Sequence, residues 1–400
     1  MTPTGPVPGT RDIDGAAMAA TRRVRASLEG LFDDGGFAFV HPPVLAEPGP
    51  FLARSGEAIR QRMYIFQDPG GREICLRPEL TIPTARLYLE RLAAKSETPA
   101  RLAYIGPVFR YTSESGGDTP LREYVQAGAE WIGDVDAPET DARILAFALR
   151  AADAAGAIGA TIVAGDLGLA AEAVRTVPVA PRIRARLLRQ LWRPDAFLAA
   201  LDATRTPRDR AGEANADSRL AEMGAESSRT LIEEILALVN VRHVGARTAD
   251  EIAERLATKA EVASDDAVSA EIAAELRAWN EIRGDGASVL AAARTWMRNF
   301  RSDDGLRAIE RAESRLAALA TSGVDVGRVT WDLGLRGELE YYTGLVFEIR
   351  ARHAGKEIVV GGGGRYDGLL RSLGAARDIP SAGFALTVTH LARIIAEAAK

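Results

Sequence analysis

Four histidines, one cysteine and a run of four glycines are the first places in this sequence where chemistry can be sought. His41, His243, His353 and His390 are scattered along the chain without metal-ligand spacing. No HExxH or Ser/His/Asp pattern accompanies them, so neither a metal site nor an activated nucleophile is expected. Cys75 stands alone, which excludes an intramolecular disulfide and a cysteine-rich zinc or iron–sulfur centre and fits a reducing compartment. Gly361–Gly364 has the look of a phosphate loop but lacks the Gly-Lys-Ser/Thr ending, so a tight turn between strand and helix is expected there. Denser in Arg, Glu and Tyr are five short segments: Leu76–Thr81 (LRPELT), Tyr104–Tyr111 (YIGPVFRY), Arg122–Glu130 (REYVQAGAE), Glu340–Gly344 (EYYTG) and Gly363–Leu369 (GGRYDGL).

The elements that must position these segments follow from periodicity. Val24, Leu28, Leu31 and Phe32 fall at helical spacing within Ile13–Phe32, and Gly35-Gly36 stop that helix. Phe37–Val40 reads as a short edge strand ended by His41-Pro42-Pro43, because proline cannot continue a ladder. Met63–Phe66 and Glu73–Leu76 read as a hairpin turned at Asp68-Pro69-Gly70-Gly71, with a helix over about Ile82–Leu92 to follow. Leu102–Ile105 and Ala127–Ile132 read as antiparallel strands bridged by a polar loop, Tyr111–Tyr124. Glu139–Ala154 is helical in pattern, Thr161–Ala164 is a strand, and Leu167 to about Thr321 is mostly helical. Within that stretch Arg205–Ser228 is a charged connector or exposed helix without evident chemistry. Strands return over Arg328–Leu333, Leu345–Arg350 and Glu357–Val360, with helices expected from Tyr366 and from Val388 to the terminus. The expected fold is α+β, an antiparallel sheet flanked by helices and split by a mostly helical insertion. A flexible arm is expected over residues 1–11, the core over 12–155 and 325–400, and the insertion over 156–324.

Composition narrows the function classes. At 47% hydrophobic and 26% charged, the 400 residues form an ordinary globular chain rather than a disordered or fibrous one. A net charge of −5 provides no overall electrostatic footprint for nucleic acid. No apolar run is long enough to span a membrane, and Met1–Asp12 is neither signal peptide nor anchor, so a cytoplasmic protein without a membrane partner is expected.

Taken in order, the five segments resemble the catalytic core of histidyl-tRNA synthetases, over roughly residues 12–150 and 325–400. The first helix and Phe37–Pro42 resemble class II motif 1, which implies a class II-like homodimer and a class II aminoacyl-tRNA synthetase-like fold. The resemblance also implies a histidine pocket. In it Glu79, Thr81 and Gln126 would hold the ammonium, Arg110 would face the carboxylate, and Glu130, Tyr341, Tyr342 and Tyr366 would surround the imidazole. These types suit that ligand: the ammonium needs acidic and amide acceptors, the carboxylate a donor, and the ring a polar partner. Charge-assisted bonds to the ligand would offset the burial of Glu79 and Glu130.

Adenylate formation needs guanidinium groups on phosphate oxygens, and there the pattern is broken. Where motif 3 of the synthetases carries Glu-Arg, this chain has Thr389-His390, and motif 2 has Thr112 in place of Glu. An ungapped match over Glu340-Tyr341-Tyr342 puts Gly337 at the position of the catalytic arginine, with Arg336 one place away. The end at Lys400 leaves no room for an anticodon-binding domain, and Glu114 and Asp118 would repel tRNA phosphates, so tRNA is not an expected partner.

A retained histidine pocket with eroded arginines resembles the ATP phosphoribosyltransferase regulatory subunit family. That resemblance implies a chain with no catalytic residues and no cofactor, assembled with a short-form catalytic subunit into a hetero-octamer. It would support activity in the first step of histidine biosynthesis and transmit feedback inhibition by histidine, which requires histidine to bind two states of the complex unequally. The alternative is a truncated ligase making histidyl adenylate for a non-tRNA acceptor, kept open by Arg110 and Arg336 and predicting histidine-dependent pyrophosphate exchange. A scaffold with a fossil pocket would bind no histidine.

Overall fold

The computed structural model describes residues 5–54, 59–92, 99–112, 121–133, 137–202, 268–337 and 339–398. The expectations for Arg205–Ser228, Glu114, Asp118 and Lys400 lie outside these residues. The first helix, α1 (Gly15–Asp34), buries Ala20, Val24, Leu28 and Phe32, one stripe of a 3.6-residue repeat. Gly36, at φ +71°, then reverses the chain, a conformation that costs glycine nothing. Phe37 follows and drives its ring against Trp131 (centroids 4.5 Å apart) and Phe147 (5.1 Å). Strand β1 (Ala38–Phe39) pairs parallel with β5 (Ala100–Phe109) at the edge of the main sheet.

That sheet has nine strands in the order β1-β5-β6-β12-β11-β10-β7-β9-β8. The remaining strands are β6 (Glu123–Ile132), β7 (Thr161–Asp166), β8 (Arg283–Gly284), β9 (Val329–Asp332), β10 (Leu345–His353), β11 (Lys356–Arg365) and β12 (Ser381–Thr387). All neighbours are antiparallel except β1/β5 and β7/β9, so the sheet is mixed, with an antiparallel centre. A small second sheet orders β2 (Leu45–Ala46), β4 (Glu73–Leu76) and β3 (Tyr64–Gln67), the last two being the expected hairpin. Helix α2 (Gly49–Arg54) precedes that hairpin, and α3 (Thr81–Leu87), extended by a π-turn at Tyr88–Leu92, follows it. Helix α4 (Ala137–Ala154) and the last helix α12 (Val388–Ala398) pack on the main sheet.

Three local expectations differ from the structure. Gly361–Gly364 is not a turn: all four glycines lie inside β11 and pair with β10 and β12 on either side. A side chain cannot fit there, since a Cβ at Gly363 would stand 2.8 Å from the Phe347 ring and one at Gly364 2.8 Å from the Tyr342 ring. No long helix starts at Tyr366; only the turn α11 (Leu369–Ser372) forms, and Gly374 at φ +112° turns the chain toward Pro380. Strand β12 escapes recognition in the sequence because it is buried on both faces over most of its length and lacks the alternation of a half-exposed strand.

Two compact units divide the chain. One comprises Met1–Val177, Leu188–Pro194 and Leu276–Lys400; the other Pro178–Leu187 and Asp195–Glu275. The second unit is thus smaller than the 156–324 expected for the insertion. Strand β7 belongs to the main sheet because it pairs with both β10 and β9, and in the first unit α5 (Leu167–Thr176) packs on β10, α9 (Gly286–Asn299) on β9, and α10 (Asp303–Thr321) on α4, α5 and α9. Helix α6 (Pro181–Gln190) and α7 (Pro194–Asp202) supply Ile183, Leu187, Phe197 and Leu201 to the second unit, with Arg186 donating to Ala200 O at 3.0 Å. Helix α8 (Ala270–Asn280) leads back. At the other end Gly9 O accepts from Arg122 N (2.7 Å), so part of the N-terminal arm is anchored.

Candidate functional site

Over the antiparallel centre of the main sheet lies a cleft of about 450 Å³. Part of its floor is small-residue backbone, with Gly361, Gly362, Gly363, Gly383 and Ala385 among the lining. The register places Gly128 of β6 beside Ala385 of β12 and Glu130 beside Gly383, while β11 contributes Gly362 opposite Ala385 and Gly364 opposite Gly383. Polar side chains rise from this smooth floor at a few points. Of the eight expected site residues, Glu79, Thr81, Arg110, Gln126, Glu130, Tyr342 and Tyr366 line the cleft. Tyr341 does not; its ring packs on Tyr342 (5.1 Å) and Tyr366 (5.8 Å) behind the wall.

Glu79 ends the LRPE segment just before α3. Its carboxylate accepts from Thr81 N (2.7 Å) and Ile82 N (2.9 Å), the unpaired donors of the first helical turn. Burial nonetheless pushes its carboxyl pKa up. Glu130, 1% exposed, is ringed by hydroxyls: Thr81 Oγ1 (2.8 Å) and Tyr104 (3.0 Å) donate to Oε1, and Tyr366 (2.5 Å) donates to Oε2. Burial raises its pKa to about 7, against those three hydrogen bonds, which pull it down. Gln126 is 8% exposed, and its Oε1 is buried in the cleft wall with no hydrogen-bond partner. An amide oxygen left this way costs about 1–3 kcal/mol, which a bound N–H donor would recover. Arg110 is anchored by Nε donating to Pro78 O at 2.8 Å, which orients its fork into the cleft wall.

Strand β11, which ends at Arg365 just before Tyr366, is held from behind by a buried ionic chain. Arg365 Nε donates to Asp141 Oδ1 and Arg315 Nε to Asp141 Oδ2, both at 2.8 Å, and Arg315 reaches Asp166 at 2.8 Å. Asp166 also caps α5 through Leu169 N. β11, α4, α10 and β7 are therefore locked together beneath the cleft. Among the described residues no group of three or more His, Cys, Asp or Glu is placed to hold a metal, and no helix is long and apolar enough to cross a membrane.

With this geometry in view, the chain can be compared with known proteins. The histidyl-tRNA synthetase family model matches residues 9–217 and 227–391. An ATP phosphoribosyltransferase regulatory subunit of Brucella anthropi is 32% identical over 377 residues, which is 93% of this chain and 96% of the relative. One from Brucella canis is 32% identical over 363 residues, 90% and 93% of the two chains. The chain belongs to the histidyl-tRNA synthetase-like family of ATP phosphoribosyltransferase regulatory subunits. Its fold matches the crystal structure of an ATP phosphoribosyltransferase regulatory subunit/histidyl-tRNA synthetase from Bacillus halodurans with a TM-score of 0.68 at 20% identity, covering 98% of this chain and 83% of that one. A histidine–tRNA ligase subunit from Alicyclobacillus acidocaldarius gives 0.60 at 25% identity, covering 100% and 99%.

Within this family member, the positions that depart from the synthetase pattern are placed clearly. Gly337, at φ +60°, lines the cleft where the synthetase pattern has an arginine. Arg336 does not line it: its NH1 donates to Leu333 O (2.6 Å) and Leu335 O (3.1 Å) and its NH2 to Asn280 Oδ1, which turns the guanidinium away into the protein. Thr389 is spent on the backbone, its Oγ1 accepting from Val125 N at 3.1 Å. His390 lines the cleft with Nδ1 3.3 Å from Val359 O, and burial lowers its pKa.

The sequence reading missed Tyr104, which donates to Glu130, and Arg62, Tyr124 and Glu348, which line the cleft. The pairing of Tyr104 with Gly128 and of Gly106 with Gln126 shows the available signal: alternation from Arg110 back through Val108 and Gly106 puts Tyr104 on the same face as Gln126 and Glu130.

Proposed function

We propose that this chain is the non-catalytic, histidine-sensing regulatory subunit of an ATP phosphoribosyltransferase. It binds free histidine in the cleft, with Glu79, Thr81 and Gln126 on the ammonium, Arg110 toward the carboxylate, and Glu130, Tyr342 and Tyr366 around the imidazole, backed by Tyr341. It joins a short-form catalytic subunit in a hetero-octamer through a class II-like dimer, supports that subunit's activity, and lowers it when histidine is bound.

The observation that carries this reading is Gln126 Oε1, buried and without a partner in the same cleft as Glu79 and Glu130. Such a set awaits a cationic N–H donor. The lining favours a zwitterion over a nucleotide: a triphosphate would find only the guanidiniums Arg62 and Arg110 among the described lining residues, beside the carboxyl groups of Glu79, Glu130 and Glu348. The commitment of Arg336 to Leu333 O, Leu335 O and Asn280 further disfavours the ligase alternative. Equilibrium dialysis with labelled histidine, run beside a pyrophosphate-exchange assay, tests the reading. Saturable histidine binding without exchange into ATP supports it; histidine-dependent exchange would establish the ligase instead.

A further inference from the structure

The loop between β9 and β10 carries Tyr341 and Tyr342, and it is held at three points by residues outside the cleft. Trp192 Nε1 donates to Tyr342 O at 3.2 Å, and the indole packs against the apolar cluster that contains Tyr341, Tyr342 and Leu335. Arg193 Nε pairs with Glu340 at 2.9 Å. Arg336, 4% exposed, donates to Asn280 Oδ1, while Asn280 Nδ2 donates to Leu276 O (2.8 Å) at the end of α8 and Leu333 N donates to Ile282 O (3.0 Å).

These anchors share a property of chain order. Trp192 and Arg193 belong to Leu188–Pro194, the stretch of the first unit between the two segments of the second. Asn280 and Ile282 lie just after the point, at Leu276, where the chain returns to the first unit. The stretches on either side of the Asp195–Glu275 segment are therefore both fastened to the loop that supplies the Tyr342 ring to the cleft. A surface ion pair such as Arg193–Glu340, with side chains 45% and 31% exposed, contributes little. The part-buried indole bond and the buried guanidinium bonds dominate.

We propose that Trp192 and Arg336 are positioning residues for the histidine site: they fix the Tyr341–Tyr342 loop to the two chain stretches that flank the Asp195–Glu275 segment, so that occupancy of the cleft is coupled to those stretches. This rests on the histidine-site reading above. Neither residue lines the cleft; both act through the backbone and rings of the loop.

The test is a calorimetric titration of the full chain with L-histidine, alone and mixed with the catalytic subunit of the same genome, for wild type, Trp192→Phe, Arg336→Lys and Glu130→Gln. Trp192→Phe keeps an aromatic ring against the cluster but loses the N–H donor and part of the indole's packing. It is expected to weaken histidine binding about fivefold, the fold-change of one lost hydrogen bond. Arg336→Lys, which cannot span three acceptors, is expected to weaken it by about tenfold or more. A spectroscopic readout separates positioning from mere stability: histidine should change the tryptophan fluorescence of wild type, and Trp192→Phe should lose that change while unfolding at nearly the same temperature. If Trp192→Phe and Arg336→Lys bind histidine as wild type does, with Glu130→Gln still defective, the proposal fails and the pocket stands. If wild type binds no histidine in either form, the pocket reading fails and takes this proposal with it.

Discussion

Replacing Glu130 by Gln should make the protein more stable and less functional, with a dependence on pH that no surface change would produce. In the ligand-free protein this carboxyl has a pKa of about 7, raised chiefly by burial, against an ordinary carboxylate value of 4.5. The folded protein therefore keeps a proton that the unfolded chain releases between these values. Stability falls as pH rises from about 4.5 to about 7 and is level beyond. At about 1.4 kcal/mol per unit the loss amounts to roughly 3 kcal/mol by pH 8. Glutamine occupies the same volume, is never charged, and keeps an oxygen for the Tyr104, Thr81 or Tyr366 hydroxyls. Urea denaturation at pH 5, 6, 7 and 8 should show the two proteins nearly equal at pH 5, diverging to a variant more stable by up to about 3 kcal/mol at pH 8. Histidine binding by the variant should be lost at every pH. A stability difference that is the same at pH 5 and pH 8 would refute the assignment of a buried, proton-holding carboxyl at this position. The same linkage predicts that histidine binding at pH 6 displaces a proton from Glu130, measurable as a dependence of the binding heat on buffer ionisation enthalpy.

Asp141→Asn removes the shared anion between Arg315 and Arg365, both buried, and should cost about 3–5 kcal/mol, read as a fall in Tm; a change within the range of an exposed pair would contradict the buried chain. Gln126→Leu deletes the unpartnered oxygen and should leave stability unchanged or slightly raised while weakening histidine binding by about tenfold, so equal affinity by calorimetry would remove Gln126 from the site. Tyr342→Phe in the assembled complex should weaken inhibition by histidine without reducing assembly by size-exclusion chromatography; inhibition equal to wild type would take the Tyr342 hydroxyl out of ligand recognition.

Much of this arrangement is legible in the sequence. Strands β5 and β6 are recognised over part of their length, the helical stripe of α1 is a strong periodic signal, and the motif segments carry seven of the eight expected site residues to one cleft. The failures share a cause: tertiary context overrides local pattern. Gly361–Gly364 reads locally as a turn, and only the close approach of β10 and β12 explains why glycine fills a central strand. Strand β7 reads as part of the insertion because its pairing partners, β9 and β10, arrive only at Val329 and Leu345, far along the chain. The ionic chain Arg365–Asp141–Arg315–Asp166 joins residues with no sequence relation, so no spacing could announce it. Arg336 is the instructive case: its position one place from Gly337 leaves its role open in the sequence, and only its bonds to Leu333, Leu335 and Asn280 remove it from the cleft.

The most direct test of the central claim is the ATP phosphoribosyltransferase activity of a short-form catalytic subunit from the same genome, measured with and without this chain and titrated with histidine. The account predicts activity that rises when the chain is added and then falls as histidine saturates the cleft. Activity that neither rises with the chain nor falls with histidine would contradict it.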